Sequence, residues 1–424
     1  MQFTVTLNLG YNIDMAKKNN TCSFCGRPES QVDFFIMGVD GAQICNECAL
    51  QAADIVKENS VVANKHSDLN KNQLPKPTEI KEYIDQYVIG QDEAKKHLSV
   101  AVYNHYKRLM QTQTDDDVEI EKSNIIMVGY TGTGKTLLAR TIAKKLHVPF
   151  TIVDATVLTE AGYVGEDIES ILTRLLQVAD YNVKEAERGI VFIDEIDKIA
   201  RKSDNPSITR DVSGEGVQQG LLKLLEGSIV NVPPQGGRKH PEQKMIPVNT
   251  QNILFVCGGA FDGIEKKIAA RLNTHVVGYN AIEKNEDVDK NNMLQYIAPQ
   301  DLKSFGLIPE IVGRLPVLTY LEPLDRKALR QILTEPKNSI IKQYGKLFKM
   351  DDIDLAFEND VLDYIVDKAI EFKLGARGLR SITETIMMDK MYEAPMKKTK
   401  KITITLDYAQ SKLEKASVNR LKSA

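Results

Sequence analysis

The chain has 424 residues, of which 42% are hydrophobic, and this size and composition predict two or three domains with separate cores. Charged residues make up 27% of the chain but leave a formal net charge of only -3, so the bulk composition gives no indication of a nucleic-acid partner. No apolar run approaches the roughly 18 residues of a membrane span and the N-terminus lacks the pattern of a secretory signal, so we expect no membrane partner and a location in the bacterial cytoplasm or a bacterium-like organelle matrix.

The N-terminal region carries two closely spaced pairs of cysteines. Met15 opens the sequence MAKKNN just before them, so we expect it to be the true start and residues 1–14 to be an upstream extension or a disordered tail. The four cysteines follow the spacing C-x2-C-x19-C-x2-C and are Cys22, Cys25, Cys45 and Cys48. In a reducing compartment this pattern favours a tetrahedral four-cysteine site for structural Zn²⁺ over disulfides or a redox pair.

The zinc ligands predict a separate domain over residues 15–58. A segment this short buries too little apolar surface to fold alone, so metal binding is expected to supply its folding free energy. Residues 59–78 are polar, contain no aromatic residue and end in a proline-rich stretch, which predicts a linker.

Strand-like and helical patterns alternate from residue 79 to residue 319. The apolar strand candidates are 124–129, 150–154, 189–195 and 252–259. This alternation predicts an α/β fold with a parallel, doubly wound sheet. The pattern then becomes mainly helical with one late strand candidate, which predicts a small α+β domain over 320–406, and residues 407–424 are expected to form a disordered tail.

A phosphate-binding motif follows the first strand candidate. GYTGTGKT matches GxxxxGK[ST], and its position between a strand and a helix favours a nucleotide site over an ordinary glycine-rich turn. Backbone N–H groups of such a loop cradle phosphates, Lys135 is expected to reach the β- and γ-phosphates, and Thr136 is expected to bind Mg²⁺. The predicted nucleotide contacts here are Gly129, Tyr130, Thr131, Gly132, Thr133, Gly134, Lys135, Thr136 and Leu137.

The third strand candidate ends in two acidic residues. Asp194 is expected to hold Mg²⁺, and Glu195 is expected to orient and deprotonate the attacking water. Acidic residues after a strand are often only a solvated turn. Here they follow the phosphate loop by about 60 residues, which favours an ATP-hydrolysing pair over an inert nucleotide binder.

The four cysteines, the phosphate-binding motif and the acidic pair occur together in the ClpX family of AAA+ unfoldases. The chain resembles that family from Cys22 to about Tyr392. Val88 and Ile89, within VIGQ, resemble the stretch that contacts adenine in that family. AGYVG, which contains Tyr163 and Val164, resembles its pore loop. Arg238, Lys239 and His240 resemble the basic loop that this family has at the pore entrance.

Two arginines resemble residues that act on ATP in this family. Arg314, within GRLP, looks like the arginine finger, and the resemblance implies that it reaches the γ-phosphate bound by a neighbouring subunit. Arg377, within GARGLR, looks like the sensor-2 arginine. For Arg377 the resemblance implies a contact with the nucleotide of its own subunit.

The resemblance implies an AAA+ ATPase that works as a homohexamer with ATP, Mg²⁺ and Zn²⁺. Such a protein recognises tagged or unfolded substrates, takes some of them from adaptor proteins, unfolds them through a central pore and delivers them to the ClpP peptidase, and it also acts as a chaperone. Its zinc-binding domain dimerises. The best match to the loop that docks into ClpP is Val277, Gly278 and Tyr279.

The chain departs from the family pattern at two places in the nucleotide site. Tyr130 stands where the family commonly has proline, and its side chain is expected to point away from the phosphates. Cys257, Gly258 and Gly259 stand where many AAA+ proteins place a polar sensor, so no sensor side chain is assigned there.

Three alternatives fit the sequence less well. An unfoldase of the HslU type carries a large insertion after the pore loop, and this chain has only 28 residues between Gly165 and Asp194. A zinc-bearing nucleic-acid motor or clamp loader predicts a basic, aromatic-rich surface, whereas aromatic residues make up 6% of this chain. A non-enzymatic scaffold does not explain the intact Lys135, Asp194 and Glu195.

Overall fold

The computed structural model describes residues 21–53, 74–111, 118, 120–159, 166–201, 214–233, 245–274, 289, 292–396 and 400–415. The chain divides into two compact units, Met1–Asp68 and Leu69–Ala424. No helix within the described ranges is both long enough and apolar enough to cross a membrane.

The first unit is a small module built around a β-hairpin. Strand β1 (Phe35–Met37) pairs antiparallel with β2 (Gln43–Cys45), and helix α1 (46–53) begins directly after Cys45. An isolated bridge between Thr21 and Pro28 closes the loop that carries the first cysteine pair. Large apolar side chains of this module, including Phe24, are exposed. The module therefore has little hydrophobic core to hold it together.

The second unit contains a five-stranded parallel sheet, which confirms the predicted fold class. The strands follow the order β11-β3-β10-β7-β4. Their bounds are β3 (Ile125–Val128), β4 (Phe150–Asp154), β7 (Ile190–Asp194), β10 (Leu254–Gly259) and β11 (Val317–Tyr320). The three inner strands are almost entirely buried, as expected of a sheet covered on both faces.

Helices cover both faces of this sheet. Alternate residues of β3 enter different cores: Ile126 and Val128 pack on one face, and Ile125 and Met127 on the other. The helices of the large domain are α2 (Pro77–Asp85), α3 (Asp92–Leu109), α4 (Lys135–Leu146), α5 (Ser170–Val178), α6 (Val183–Ala186), α7 (Glu215–Glu226), α8 (Ile264–Thr274), α9 (Pro299–Phe305) and α10 (Pro309–Gly313). Two small strand pairs lie outside the main sheet, a parallel pair of β5 (Leu158–Thr159) with β6 (Glu166–Asp167) and an antiparallel pair of β8 (Ile229–Val232) with β9 (Ile246–Asn249).

A small, mainly helical domain with its own core follows the sheet. Its elements are α11 (Arg326–Thr334), α12 (Ile340–Met350), β12 (Asp354–Phe357), α13 (Asn359–Glu371), α14 (Gly375–Glu393), β13 (Lys401–Ile404) and α15 (Leu406–Lys415), and its two strands pair in parallel. The prediction of a disordered tail over 407–424 is wrong for its first part. Ala409 and Leu413, four residues apart on α15, are buried in the small-domain core, so this segment is a packed helix.

A buried histidine predicts how stability depends on pH. His105 lies on α3 with Nε2 3.1 Å from the carbonyl oxygen of Asn252. Burial, followed by the charges of Arg108 and Lys122, lowers the pKa of His105 to about 3. The unfolded chain protonates this histidine near pH 6.5, so stability should be lost as the pH falls from about 6.5 toward 3, by up to about 1.4 kcal/mol per pH unit.

The variant His105→Asn is expected to weaken this pH dependence, because its side chain does not titrate. Urea unfolding of both proteins at pH 7 and pH 5 measures the difference. Equal losses of stability in the two proteins would show that another group is responsible.

Candidate functional site

The carboxyl ends of β3, β7 and β10 meet at a cleft of about 240 Å³. Ligand sites commonly form at this edge of a parallel sheet. The cleft is lined by Thr131, Gly132, Gly134, Lys135, Thr136, Leu137, Asp194, Glu195, Asp197, Lys198, Ala260 and Arg377. The structure therefore brings most of the predicted phosphate-loop residues together with both predicted acidic residues and one of the two predicted arginines.

The glycines of the phosphate loop allow its tight turn. Gly132 and Gly134 have φ values of +85° and +104°, in the left-handed region that favours glycine. A Cβ on Gly129 would lie 2.8 Å from the Cβ of Leu321, so that position is also restricted to glycine. Helix α4 begins directly after this turn, and its N-terminal N–H groups provide a favourable environment for phosphate.

Lys135 is buried at the base of the cleft. Its Nζ donates hydrogen bonds to the carbonyl oxygens of Gly129 and Tyr130, the latter at 3.0 Å. Burial lowers the pKa of Lys135, while the nearby carboxylates of Asp194 and Asp197 oppose that shift. The ammonium group is thus held on the loop that the sequence assigns to the phosphates.

The predicted magnesium ligands lie side by side. Thr136 Oγ1 donates to Asp194 Oδ2 at 3.0 Å, and Asp194 Oδ1 accepts from the backbone N–H of Glu195 at 3.0 Å. A hydroxyl and a carboxylate are the hard oxygen ligands that Mg²⁺ prefers, so this donor set fits the ion. Glu195 adopts a left-handed conformation with φ of 57° and is exposed, whereas the preceding strand is buried.

Three lining residues were missed by the sequence reasoning: Asp197, Lys198 and Ala260. The Asp197 carboxylate is 2% exposed, and its Oδ2 lies 3.2 Å from Lys198 Nζ. Its Oδ1 accepts from the backbone N–H of Ala260 at 3.1 Å. A 3-10 turn over Ile196–Ile199 places these side chains at the cleft. The available signal was the third acidic residue of DEID, Asp197, which that turn places beside the end of β10.

The small domain contributes the other side of the cleft. Helix α14 begins at Gly375, and Arg377 in its first turn lines the cleft. A Cβ on Gly132 would lie 3.8 Å from the backbone nitrogen of Ala376, and a Cβ on Gly375 would lie 3.9 Å from the carbonyl oxygen of Thr131. The phosphate loop and the start of α14 are therefore close neighbours.

Five predicted nucleotide contacts do not line the cleft: Val88, Ile89, Gly129, Tyr130 and Thr133. Val88 is buried in the core, and its carbonyl oxygen accepts from Lys95 Nζ at 2.7 Å, while Ile89 is half-buried. Thr133 is buried and its Oγ1 donates to the carbonyl oxygen of Tyr130 at 2.8 Å.

Tyr130 is directed to helix α8. Its hydroxyl donates to Glu265 Oε1 at 2.7 Å. Burial and the neighbouring Glu265 carboxylate raise the pKa of Tyr130 to about 12. Gly129, the first loop residue, is also absent from the cleft lining, although its carbonyl oxygen contacts Lys135.

Arg314 lies away from the cleft of its own chain. It follows α10, and its guanidinium contacts Glu226 at the end of α7. Eight further predicted site residues lie outside the described residues: Tyr163, Val164, Arg238, Lys239, His240, Val277, Gly278 and Tyr279.

The four N-terminal cysteines form a cluster in the first unit. The sulfur atoms of Cys22, Cys25, Cys45 and Cys48 all lie within 4.8 Å of one another. The backbone N–H of Cys45 donates to the Cys22 sulfur at 3.3 Å, and that of Cys48 donates to the Cys45 sulfur at 3.5 Å. Four thiolates from two CxxC turns are the donor set of a structural zinc site, and N–H···S bonds stabilise their negative charge.

Comparison with family models identifies the domains of both units. The model of the AAA domain (Cdc48 subfamily) matches residues 120–318, and that of the ClpX C4-type zinc finger matches residues 20–58. The C-terminal, D2-small domain of ClpB protein matches residues 324–406. Fold, cleft and cysteine cluster thus define an AAA+ ATPase with a zinc finger. It uses ATP and Mg²⁺ and holds Zn²⁺.

Curated relatives match the chain over nearly its whole length, and each is described as an ATP-dependent Clp protease ATP-binding subunit ClpX. The protein from Bacteroides thetaiotaomicron is 75% identical over 412 residues, which cover 96% of this chain and 99% of the relative. Those from Porphyromonas gingivalis and Treponema denticola are 72% and 53% identical, over 94% and 90% of this chain and 98% and 91% of the relatives. The chain belongs to the ClpX family.

Proposed function

We propose that this protein is an ATP-driven protein unfoldase and translocase that works with the ClpP peptidase. The observation that carries the proposal is the cleft in which the phosphate loop and two acidic residues of the large domain face Arg377 of the small domain. A nucleotide bound there contacts both domains. Binding, hydrolysis and release then change the contacts between the domains, and that is the source of mechanical work.

The cleft residues divide the chemistry of hydrolysis among them. Lys135 and the N-terminus of α4 bind the phosphates, and Arg377 adds positive charge from the small domain. Thr136 and Asp194 hold Mg²⁺, which would neutralise developing charge on the phosphates. Glu195 accepts the proton of the attacking water. Its exposed carboxylate at the cleft is the feature that supports this role.

Arg314 is proposed to act on the nucleotide of a neighbouring subunit. Its place outside the cleft of its own chain, with half of its side chain exposed, supports a role between subunits. An arginine supplied in this way stabilises charge in the transition state for phosphoryl transfer. Closing a ring of such contacts requires head-to-tail assembly, and we propose a homohexamer.

The pore is proposed to be lined by Tyr163 and Val164, with Arg238, Lys239 and His240 at its entrance. An aromatic side chain offers an amphipathic grip on polypeptides of any sequence. The basic residues would attract substrate tails that end in a free carboxylate. Together these contacts would let the protein recognise tagged or unfolded proteins. When it unfolds a substrate without passing it to the peptidase, it would act as a chaperone.

The loop with Val277, Gly278 and Tyr279 is proposed to dock into ClpP. The names of the curated relatives as subunits of the Clp protease support this partnership. The zinc finger is proposed to dimerise and to receive adaptor proteins. A cytoplasmic location in a bacterium fits these partners.

The variant Tyr163→Ala tests the pore assignment. It is expected to keep ATPase activity within about threefold but to lose at least about 90% of its unfolding rate, because the grip on the substrate is removed. Loss of fluorescence from a tagged folded protein measures unfolding, and phosphate release measures hydrolysis.

The conservative variant Tyr163→Phe is the matched control and should keep most of the unfolding rate. Undiminished unfolding by Tyr163→Ala would place the grip elsewhere. Stimulation of the ATPase by DNA, and not by unfolded protein, would instead support a nucleic-acid motor.

A further inference from the structure

The guanidinium of Arg314 is held by an acidic residue of its own subunit. Arg314 Nη2 and Nε lie 3.2 and 3.3 Å from the same oxygen, Oε1 of Glu226. Both side chains are about half exposed, at 50% for Arg314 and 45% for Glu226. Because exposed ion pairs contribute little to folding stability, stability alone gives no strong reason for this contact.

The backbone of Arg314 is anchored to the same helix end. Asn124 is buried, and its Nδ2 donates to the carbonyl oxygen of Arg314 at 2.9 Å and to that of Leu225 at 3.1 Å. Leu225 and Glu226 are the last two residues of α7. The main chain and the side chain of Arg314 are therefore both fixed to the C-terminus of α7, where the helix dipole favours a cation.

The contact with Glu226 occupies only one edge of the guanidinium. A guanidinium has five N–H donors in a plane, and Glu226 engages the edge formed by Nε and Nη2. Neither contact uses Nη1. A planar group held along one edge keeps a defined orientation, and its remaining donors suit bidentate recognition of a phosphate.

We propose that Glu226 is a positioning residue that orients Arg314 for the nucleotide of the neighbouring subunit. The inference rests on the proposed function, in which Arg314 acts between subunits. In this role Glu226 does not contact the reacting atoms; it acts by restricting the guanidinium before the phosphate arrives. Such restriction lowers the entropic cost of reaching the transition state.

Three variants of the full-length protein test this role: Glu226→Ala, Glu226→Gln and Arg314→Ala. We expect Glu226→Ala to lower the kcat of ATP hydrolysis about three- to tenfold with KM for ATP within about twofold, because orientation and not ATP binding is lost. Glu226→Gln keeps an acceptor oxygen and should restore part of the rate. Light scattering with ATP checks that each variant assembles like the wild type.

Glu371→Ala provides the matched control. Glu371 pairs with Lys368 at 2.7 Å on the exposed surface of α13. Replacing Glu371 therefore breaks an exposed ion pair in the small domain that does not involve Arg314. This variant should keep the wild-type kcat. A similar loss of rate in Glu371→Ala would make the effect of Glu226 nonspecific and overturn the proposal.

The double variant Glu226→Ala, Arg314→Ala and the single variant Arg314→Ala distinguish failure of the positioning role from failure of the role of Arg314 between subunits. Glu226→Ala should have no further effect on kcat in the Arg314→Ala background, since its target is gone. If Arg314→Ala lowers kcat but Glu226→Ala leaves it unchanged or raises it, the positioning role is wrong and the proposed function stands. If Arg314→Ala itself has wild-type kcat, the role of Arg314 between subunits is wrong. Should Glu226→Ala not assemble, Glu226→Met decides, because methionine keeps the length of the side chain without a carboxylate oxygen: a wild-type kcat in that variant overturns the proposal.

Discussion

Replacing Glu195 with glutamine is expected to abolish ATP turnover and to leave ATP binding nearly intact. Glutamine has the same shape but cannot accept a proton from water, so hydrolysis should fall at least about a hundredfold. The backbone N–H of Glu195 is bound to Asp194, and the side chain is exposed at the cleft, so the substitution should not disturb the loop. Single-turnover hydrolysis and binding of a fluorescent ATP analogue measure the two effects separately.

Glu371→Gln is the matched control for Glu195→Gln and should hydrolyse ATP at the wild-type rate. Hydrolysis at the wild-type rate by Glu195→Gln would exclude Glu195 as the base. The neighbouring carboxylate of Asp197 would not easily replace it, because Asp197 is buried and bound to Ala260 and Lys198.

Removing zinc ligands is expected to unfold the first unit. Cys22 and Cys45 are its buried hydrophobic residues among those described, whereas Phe24, Phe34 and Ile36 are exposed at 74%, 59% and 50%. The metal must therefore supply most of the folding free energy, and structural Zn²⁺ sites contribute about 10–16 kcal/mol at pH 7. The double variant Cys22→Ser and Cys45→Ser should lose bound zinc, and its first unit, Met1–Asp68, should become susceptible to limited proteolysis.

Cys257→Ala is the control for this experiment. Cys257 is buried in β10 of the second unit, so its loss should leave the zinc content unchanged. Delivery of substrates by adaptors should fail in the double variant while basal ATPase activity persists. Full zinc content after loss of two ligands would contradict the assignment of a four-cysteine zinc site.

Much of the fold could be predicted because burial leaves a clear pattern in the sequence. The apolar runs at 124–129, 150–154, 189–195 and 252–259 contain four of the five sheet strands. The fifth, β11, is an edge strand with the sequence VLTY whose residues are mostly half-buried, so it lacks the continuous apolar run that marks the equally short but fully buried β3. The sequence did not predict helix α15, because only two of its residues, Ala409 and Leu413, are buried and most of the others are polar or charged.

The candidate site could be predicted where one local motif carries the chemistry. Lys135, Thr136, Asp194 and Glu195 belong to two contiguous segments, and both segments line the cleft. The contacts of Asp197 with Ala260 and of Glu226 with Arg314 join residues 63 and 88 positions apart. Such contacts depend on tertiary packing, and no local pattern in one sequence reports them.

The most direct test of the proposed mechanism is whether ATP hydrolysis unfolds a stable protein. The substrate is a fluorescent protein with a C-terminal peptide tag that ends in a free carboxylate. We expect its fluorescence to disappear with wild-type protein and ATP, and to persist with a nonhydrolysable analogue or with Glu195→Gln. The proposal that the protein is an unfoldase would be contradicted if the fluorescence persisted while an intact assembly consumed ATP at full rate and bound the tag.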